Sequence, residues 1–160
     1  MVKIDEILLL VGRLNYTWTN TESLLIYLIG HLMGTPKEAA IVVFLTLNTT
    51  RARLDLVERL AKMAATPPET RAEILAITNR LKAESRLRNK YNHCIYSFDE
   101  NGEMGSTQLM RLAEFGDDLK YGKVEDIDQD EVSRIQDCIR EVVAANKLIW
   151  KFINAKAIAT

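Results

Sequence analysis

The stretch IYSFDENGEMGSTQ, residues 95–108, decides how this chain is organised, because here the hydrophobic period changes from that of a helix to that of a strand. Tyr96 and Phe98 alternate with Ile95 and Ser97. Asn101-Gly102 follows, the strongest short-range hairpin signal, and predicts a type I′ turn. A small β-hairpin is therefore expected, with LKYGKVEDI at 119–127 offering a third strand. An insert of about 95–127 is too long for a plain connection between helices, and connections of that length commonly carry function.

Outward from the insert, everything reads as helix. Toward the N-terminus, apolar residues at 4, 7, 11, 14, 18, 25, 28 and 32 step by three and four, with Thr21 filling the one gap, and Gly34 supplies a stop. Leu24, Ile26 and Ile29 add a second apolar face, more than one partner helix would cover. Thr35-Pro36-Lys37-Glu38 has the form of a capping box and opens a second helix, whose seam runs Ala40, Val43, Leu47, Thr50, Leu54, Val57, Ala61 and Ala64. The same punctuation at Thr66-Pro67-Pro68-Glu69 opens a third, with Ile74, Ile77, Leu81, Leu87 and Tyr91 facing inward. Beyond the insert, Asp128 and Glu131 open a last helix with its seam at Val132, Ile135, Ile139, Val142, Ile149 and Phe152. The expected fold is all-α: an antiparallel four-helix bundle with a small β-hairpin insert between helices 3 and 4. Its helices lie at about 4–33, 36–64, 67–94 and 128–156, within a single domain over 1–160.

With 160 residues and 48% hydrophobic content, the chain is long enough to bury a substantial core. Its apolar runs fall short of the roughly 18 residues that suggest a membrane span, and the start suits no signal peptide, so a soluble, cytoplasmic protein is expected. Cys94 and Cys138 stand alone, which suggests neither a disulfide framework nor a zinc site. The acids between Asp117 and Asp130 lack EF-hand spacing, and no metal or cofactor is expected. The formal net charge of −1 hides a strong asymmetry. Residues 51–93 carry ten cations against five acids, and 94–131 eleven acids against three cations.

The basic block ends in RLRNKYNHC, residues 86–94, which holds one of the two histidines. Histidine titrates near neutrality and can move a proton, while arginine offers a rigid fork to phosphate oxygens. An amide can orient either group. Together they suit attack of a ribose 2′-hydroxyl on its adjacent phosphate without a metal, with RNA as substrate because DNA lacks that hydroxyl. On a regular helix Asn89 and His93, four apart, pair directly. Arg88, five residues before His93, is turned away by roughly 140°. It joins them only through its long side chain, through unwinding at Asn92, or across to a second copy.

Arg88-Asn89-Lys90-Tyr91-Asn92-His93 resembles the motif of the HEPN superfamily, an arginine, a polar residue, about three variable residues and a histidine. That resemblance implies a small helical domain and a homodimer that brings two motifs into one cleft. Many toxin and defence members are metal-independent endoribonucleases, some restrained by an antitoxin. Carried over residue by residue, Arg88 would stabilise the phosphate, Asn89 would be its polar companion and His93 the acid-base group.

A second expectation comes from the surplus apolar face at 24–29 and the acidic insert: a catalytically inactive helical module that dimerises or binds another protein. Other residues read as packing. His31 suits a packing or interface position, Trp18 and Trp150 lie on helix seams, and Cys94 beside His93 diverges from it by about 100° and forms no dyad.

Overall fold

A computed structural model describes residues 2–160, apart from the Met104 side chain. It contains six helices and five strands: α1 (Ile4–Ser23), α2 (Leu25–Met33), α3 (Lys37–Thr46), α4 (Thr50–Ala61), α5 (Pro68–Asn92), β1 (Cys94–Phe98), β2 (Met104–Leu109), β3 (Leu112–Phe115), β4 (Asp118–Tyr121), β5 (Val124–Asp126) and α6 (Gln129–Ala155). The expected all-α four-helix bundle does not hold. The protein is α+β, because 94–126 forms two antiparallel sheets rather than one hairpin.

Two of the four expected helices are interrupted. The first breaks at Leu24 alone, where bonding tightens to Leu24 N–H donating to Thr21 O and Tyr27 N–H to Leu24 O, both at 3.1 Å. The second breaks at residues 47–49. Thr49 caps α4 by accepting from Ala52 N–H at 3.1 Å, while Arg53 Nε reaches back to the carbonyls of Leu47 (2.7 Å) and Phe44 (3.1 Å) that the end of α3 leaves unpaired. The three-four seam runs unchanged through this break, so periodicity alone conceals it. Nor does the capping box at Thr35 form: α3 begins after Pro36 with no side-chain cap. Gly34 does stop α2, in the left-handed region with φ +62°.

The chain divides into two compact units. One runs to Tyr16 and resumes from Arg86 to Ile139; the other holds Thr17–Ser85 and Arg140–Thr160. The second unit buries Trp18, Leu25, Leu28, Ile29, Phe44, Leu54, Ile74, Leu81, Ile149 and Phe152. Leu24 and Ile29 are buried here as well, so the surplus apolar face is largely taken up within the unit. At its centre the buried Glu22 accepts from Trp18 Nε1 (2.8 Å), Thr50 Oγ1 (3.0 Å) and Arg53 Nη1 (3.1 Å), which matches a buried charge with three donors.

The first unit carries the strands. Its sheet has the order β1-β2-β5, all antiparallel, with Tyr96 opposite Thr107 and Thr107 opposite Glu125. The turn between β1 and β2 is not type I′. That turn needs positive φ at Asn101, whereas only Gly102 (φ +74°) adopts it here. Asp99 instead organises a longer loop, its carboxylate accepting from Asn101 N–H (2.9 Å) and Glu103 N–H (2.8 Å).

β2 and β5 form a hairpin whose connecting loop is itself a hairpin, β3-β4, pairing Leu112 with Tyr121 and Phe115 with Asp118. The expected strand at 119–127 is thus two strands on two sheets. Gly122 lies between them, and a Cβ there would come within 1.9 Å of Leu109 O, so only glycine allows this close approach. Every residue of β3 and β4 is exposed.

Candidate functional site

The end of α5 holds Arg88 and Asn89, and His93 follows directly after it, all within the first unit. α5 ends at Asn92 because His93 turns into β1: its N–H donates to Lys90 O (3.2 Å) in a tightened turn, and its carbonyl accepts from Met110 N–H (3.0 Å). The His93 side chain is exposed, as is Asn89, while Arg88 and Asn92 are half-buried.

Arg88 does not stand apart from its neighbours. Its Nη1 donates to Asn89 Oδ1 at 3.1 Å. With the Asn92 amide oriented so that its oxygen faces the guanidinium, Oδ1 accepts from Arg88 Nε (3.1 Å) and Nη2 (3.3 Å), and Nδ2 donates to Asn15 Oδ1 of α1 at 2.8 Å. The reverse orientation would set donor against donor. The expected Asn89–His93 hydrogen bond is absent among the described residues. The reason is geometric, since His93 lies past the last helical residue and the four-residue spacing no longer places it above Asn89. Asn89 serves Arg88 instead. Of the three predicted site residues, the structure joins Arg88 with Asn89 and leaves His93 in solvent at the start of the bend.

The opposite side of the same turn is ionic, with Tyr91 and Glu131 buried and Lys90 and Glu125 half-buried. Lys90 Nζ meets Glu125 Oε2 at 2.6 Å and Glu131 Oε1 at 2.7 Å, and Tyr91 Oη donates to the same Glu131 oxygen. Burial works against the Lys90 charge, but the hydrogen bonds it donates to Glu125 and Glu131 outweigh it and raise its pKa. Burial, then the bond to Glu131, pushes the Tyr91 hydroxyl up. The Glu125 carboxyl is held down to about 2, first by its bond with Lys90 and then by Lys123. Sequence reasoning missed this cluster. The available signal was the capping pattern at 128–131, of which only half forms: Asp128 Oδ1 accepts from Glu131 N–H at 2.9 Å, while the Glu131 side chain turns to Lys90 and Tyr91. Glu125 of the insert and Glu131 of α6 are therefore matched internally.

Burial is also the main cause raising the Cys94 thiol, and both cysteines are buried and outside any disulfide. His31 packs edge-on against Phe152 with ring centroids 5.7 Å apart, and its pKa is lowered, first by burial and then by Lys156. Among the described residues no group of three or more His, Cys, Asp or Glu side chains has the geometry of a metal site. No helix among them is long and apolar enough to cross a membrane. At the base of the β3-β4 arm, an open hollow of about 310 Å³ is lined by Ile95, Leu109, Met110, Leu112 and Tyr121 among others. It does not include Arg88 or His93. No family model, curated protein or solved structure matches this chain.

Proposed function

We propose that the chain is a metal-independent endoribonuclease of the HEPN type, acting as a homodimer in which two copies of Arg88, Asn89 and His93 share one cleft. The observation that carries this reading is the end of α5 at Asn92. It frees His93 from the helix with its side chain in solvent, while Arg88 is held one turn earlier by amide oxygens. The 2′-hydroxyl of RNA attacks the adjacent phosphorus and the P–O5′ bond breaks. The proton leaves the 2′-oxygen for an imidazole and returns to the 5′-oxygen, and Arg88 offsets charge on the phosphate. The products are a 2′,3′-cyclic phosphate and a 5′-hydroxyl. The reading carries with it a cytoplasmic setting and a toxin or defence role, with an antitoxin as a candidate protein partner.

Single-stranded RNA incubated with the purified protein in EDTA is expected to yield fragments ending in 2′,3′-cyclic phosphate. Equal cleavage by a His93→Ala variant sinks the proposal.

A second reading, a non-catalytic module that dimerises or binds a protein, is favoured by one observation. The β3-β4 arm exposes Leu112, Phe115, Leu119 and Tyr121, each more than half accessible, on a two-stranded element that is marginal by itself in water. Light scattering at high protein concentration tests the shared cleft of the first reading and the dimerising form of the second, since each needs two copies.

A further inference from the structure

The hydrogen bonds around Arg88 continue beyond the motif. Asn15 lies on α1, at half-buried depth, and its Oδ1 is the acceptor for Asn92 Nδ2 at 2.8 Å. Asn92 in turn presents its oxygen to Nε and Nη2 of Arg88 at 3.1 and 3.3 Å. An arginine side chain has four rotatable bonds before its planar head, and one carboxamide gripping the Nε–Nη2 edge fixes the plane of that head. An exposed carboxamide is free to rotate about its last torsion, and donor and acceptor exchange places by a half-turn. Arg88 offers only donors and so draws the Asn92 oxygen, which leaves Nδ2 facing Asn15, whose Oδ1 (2.8 Å) and Nδ2 (3.0 Å) both lie within reach; by accepting there through Oδ1, Asn15 tethers the far end of the carboxamide.

We infer that Asn15 is a positioning residue for Arg88, acting through Asn92, whose Nδ2 end it tethers while the oxygen meets the guanidinium. The catalytic half of this inference rests on the ribonuclease reading; the positioning half does not. Neither asparagine touches the substrate in this scheme. Asn89 holds Nη1 from a second side, at 3.1 Å, so the fork is set on two edges by oxygens from its own helix. α1 fixes one of those oxygens.

Asn15 uses its oxygen, so Asn15→Asp keeps the acceptor while Asn15→Ala removes it. The direct readout is the Arg88 Nε–H signal in a 15N-correlated NMR spectrum at about pH 6, assigned by its loss in Arg88→Lys. A signal protected in the parent protein and in Asn15→Asp, but broadened or lost in a folded Asn15→Ala, is expected. Alongside it, kcat for RNA cleavage falls about tenfold in Asn15→Ala with KM within twofold, as befits a misplaced rather than a missing group, and Asn15→Asp recovers most of it. An Arg88 signal that stays protected in Asn15→Ala overturns the positioning role. Protection behaving as described in a protein that leaves RNA intact overturns the nuclease reading and the catalytic half, and upholds the positioning half.

Discussion

Arg88 and Lys90 are two residues apart on one helical turn and meet opposite fates. Lys90 is half-buried against Glu125 and Glu131 and shares Glu131 with Tyr91, so its charge is locked into the fold. Arg88 is half-buried, and the neutral amides of Asn89 and Asn92 are among its partners. Two ionic partners hold a charge in place and spend it, whereas carboxamides orient a guanidinium without cancelling its charge. The difference teaches that cation density alone, as at residues 86–90, does not say what a given cation does in the fold. The partner does.

Breaking the buried side gives the largest effect. Glu131→Ala leaves Lys90 and the Tyr91 hydroxyl without their shared acceptor, and stability is expected to fall by about 3–5 kcal/mol. Thermal unfolding monitored by circular dichroism should show a midpoint lower by on the order of 10 °C. A loss below about 1 kcal/mol would mean the cluster is not the anchor described. On the other side of the turn, His93→Ala is expected to change stability by no more than about 0.5 kcal/mol, because the imidazole is exposed, while RNA cleavage drops by about 100-fold or more. Destabilisation comparable to that of Glu131→Ala would erase the contrast between the two sides.

Acid sharpens the comparison further. The Glu125 carboxyl has an ordinary value of 4.5 and is held down to about 2 in the fold. A depressed carboxylate contributes stability that is fully present above 4.5 and is lost as the pH falls through that range toward 2. Glu125→Gln is expected to flatten the dependence of unfolding free energy on pH within this window, measured by urea titration at several pH values. An unchanged slope would show that Lys90 does not depend on Glu125. The smallest effect is reserved for Arg134, which is largely exposed and meets Glu131 at 3.5 Å. Arg134→Ala should cost only a few tenths of a kcal/mol in the same titration, as screened surface pairs do.

What could be read from the chain depended on which physical signal was local. Helix starts near 4, 37, 68 and 129 were legible from periodicity and from proline or acidic punctuation, and the change of period at 95 marked the strands. The break at 47–49 was hidden because a continuous apolar seam outweighs a two-residue cap signal, and because Arg53, which satisfies the broken end, acts from the following helix. The extent of the strands was underestimated for a similar reason. β5 pairs with β2 across sixteen or more residues of sequence, a long-range choice to which no local pattern points. At the site, Arg88, Asn89 and His93 were legible as residue types at a spacing. Asn15 and Glu131 were not, since each owes its role to a contact made from a distant helix.

The nested hairpin has one more consequence. Leu109 N–H donates to Lys123 O at 3.1 Å, so the β3-β4 arm enters and leaves its sheet at a single hydrogen-bonded rung. Nothing in β3 or β4 is buried. Residues 110–123 thus behave as a cassette: cut at that rung and replaced by a short Asn-Gly turn, they would come away with the pairing of β2 and β5 preserved. His93 O would lose its Met110 partner in the exchange, so a main-chain clasp on the motif itself belongs to the cassette. Transplanting or deleting it would ask whether what the arm touches and what His93 does are one property of this chain or two.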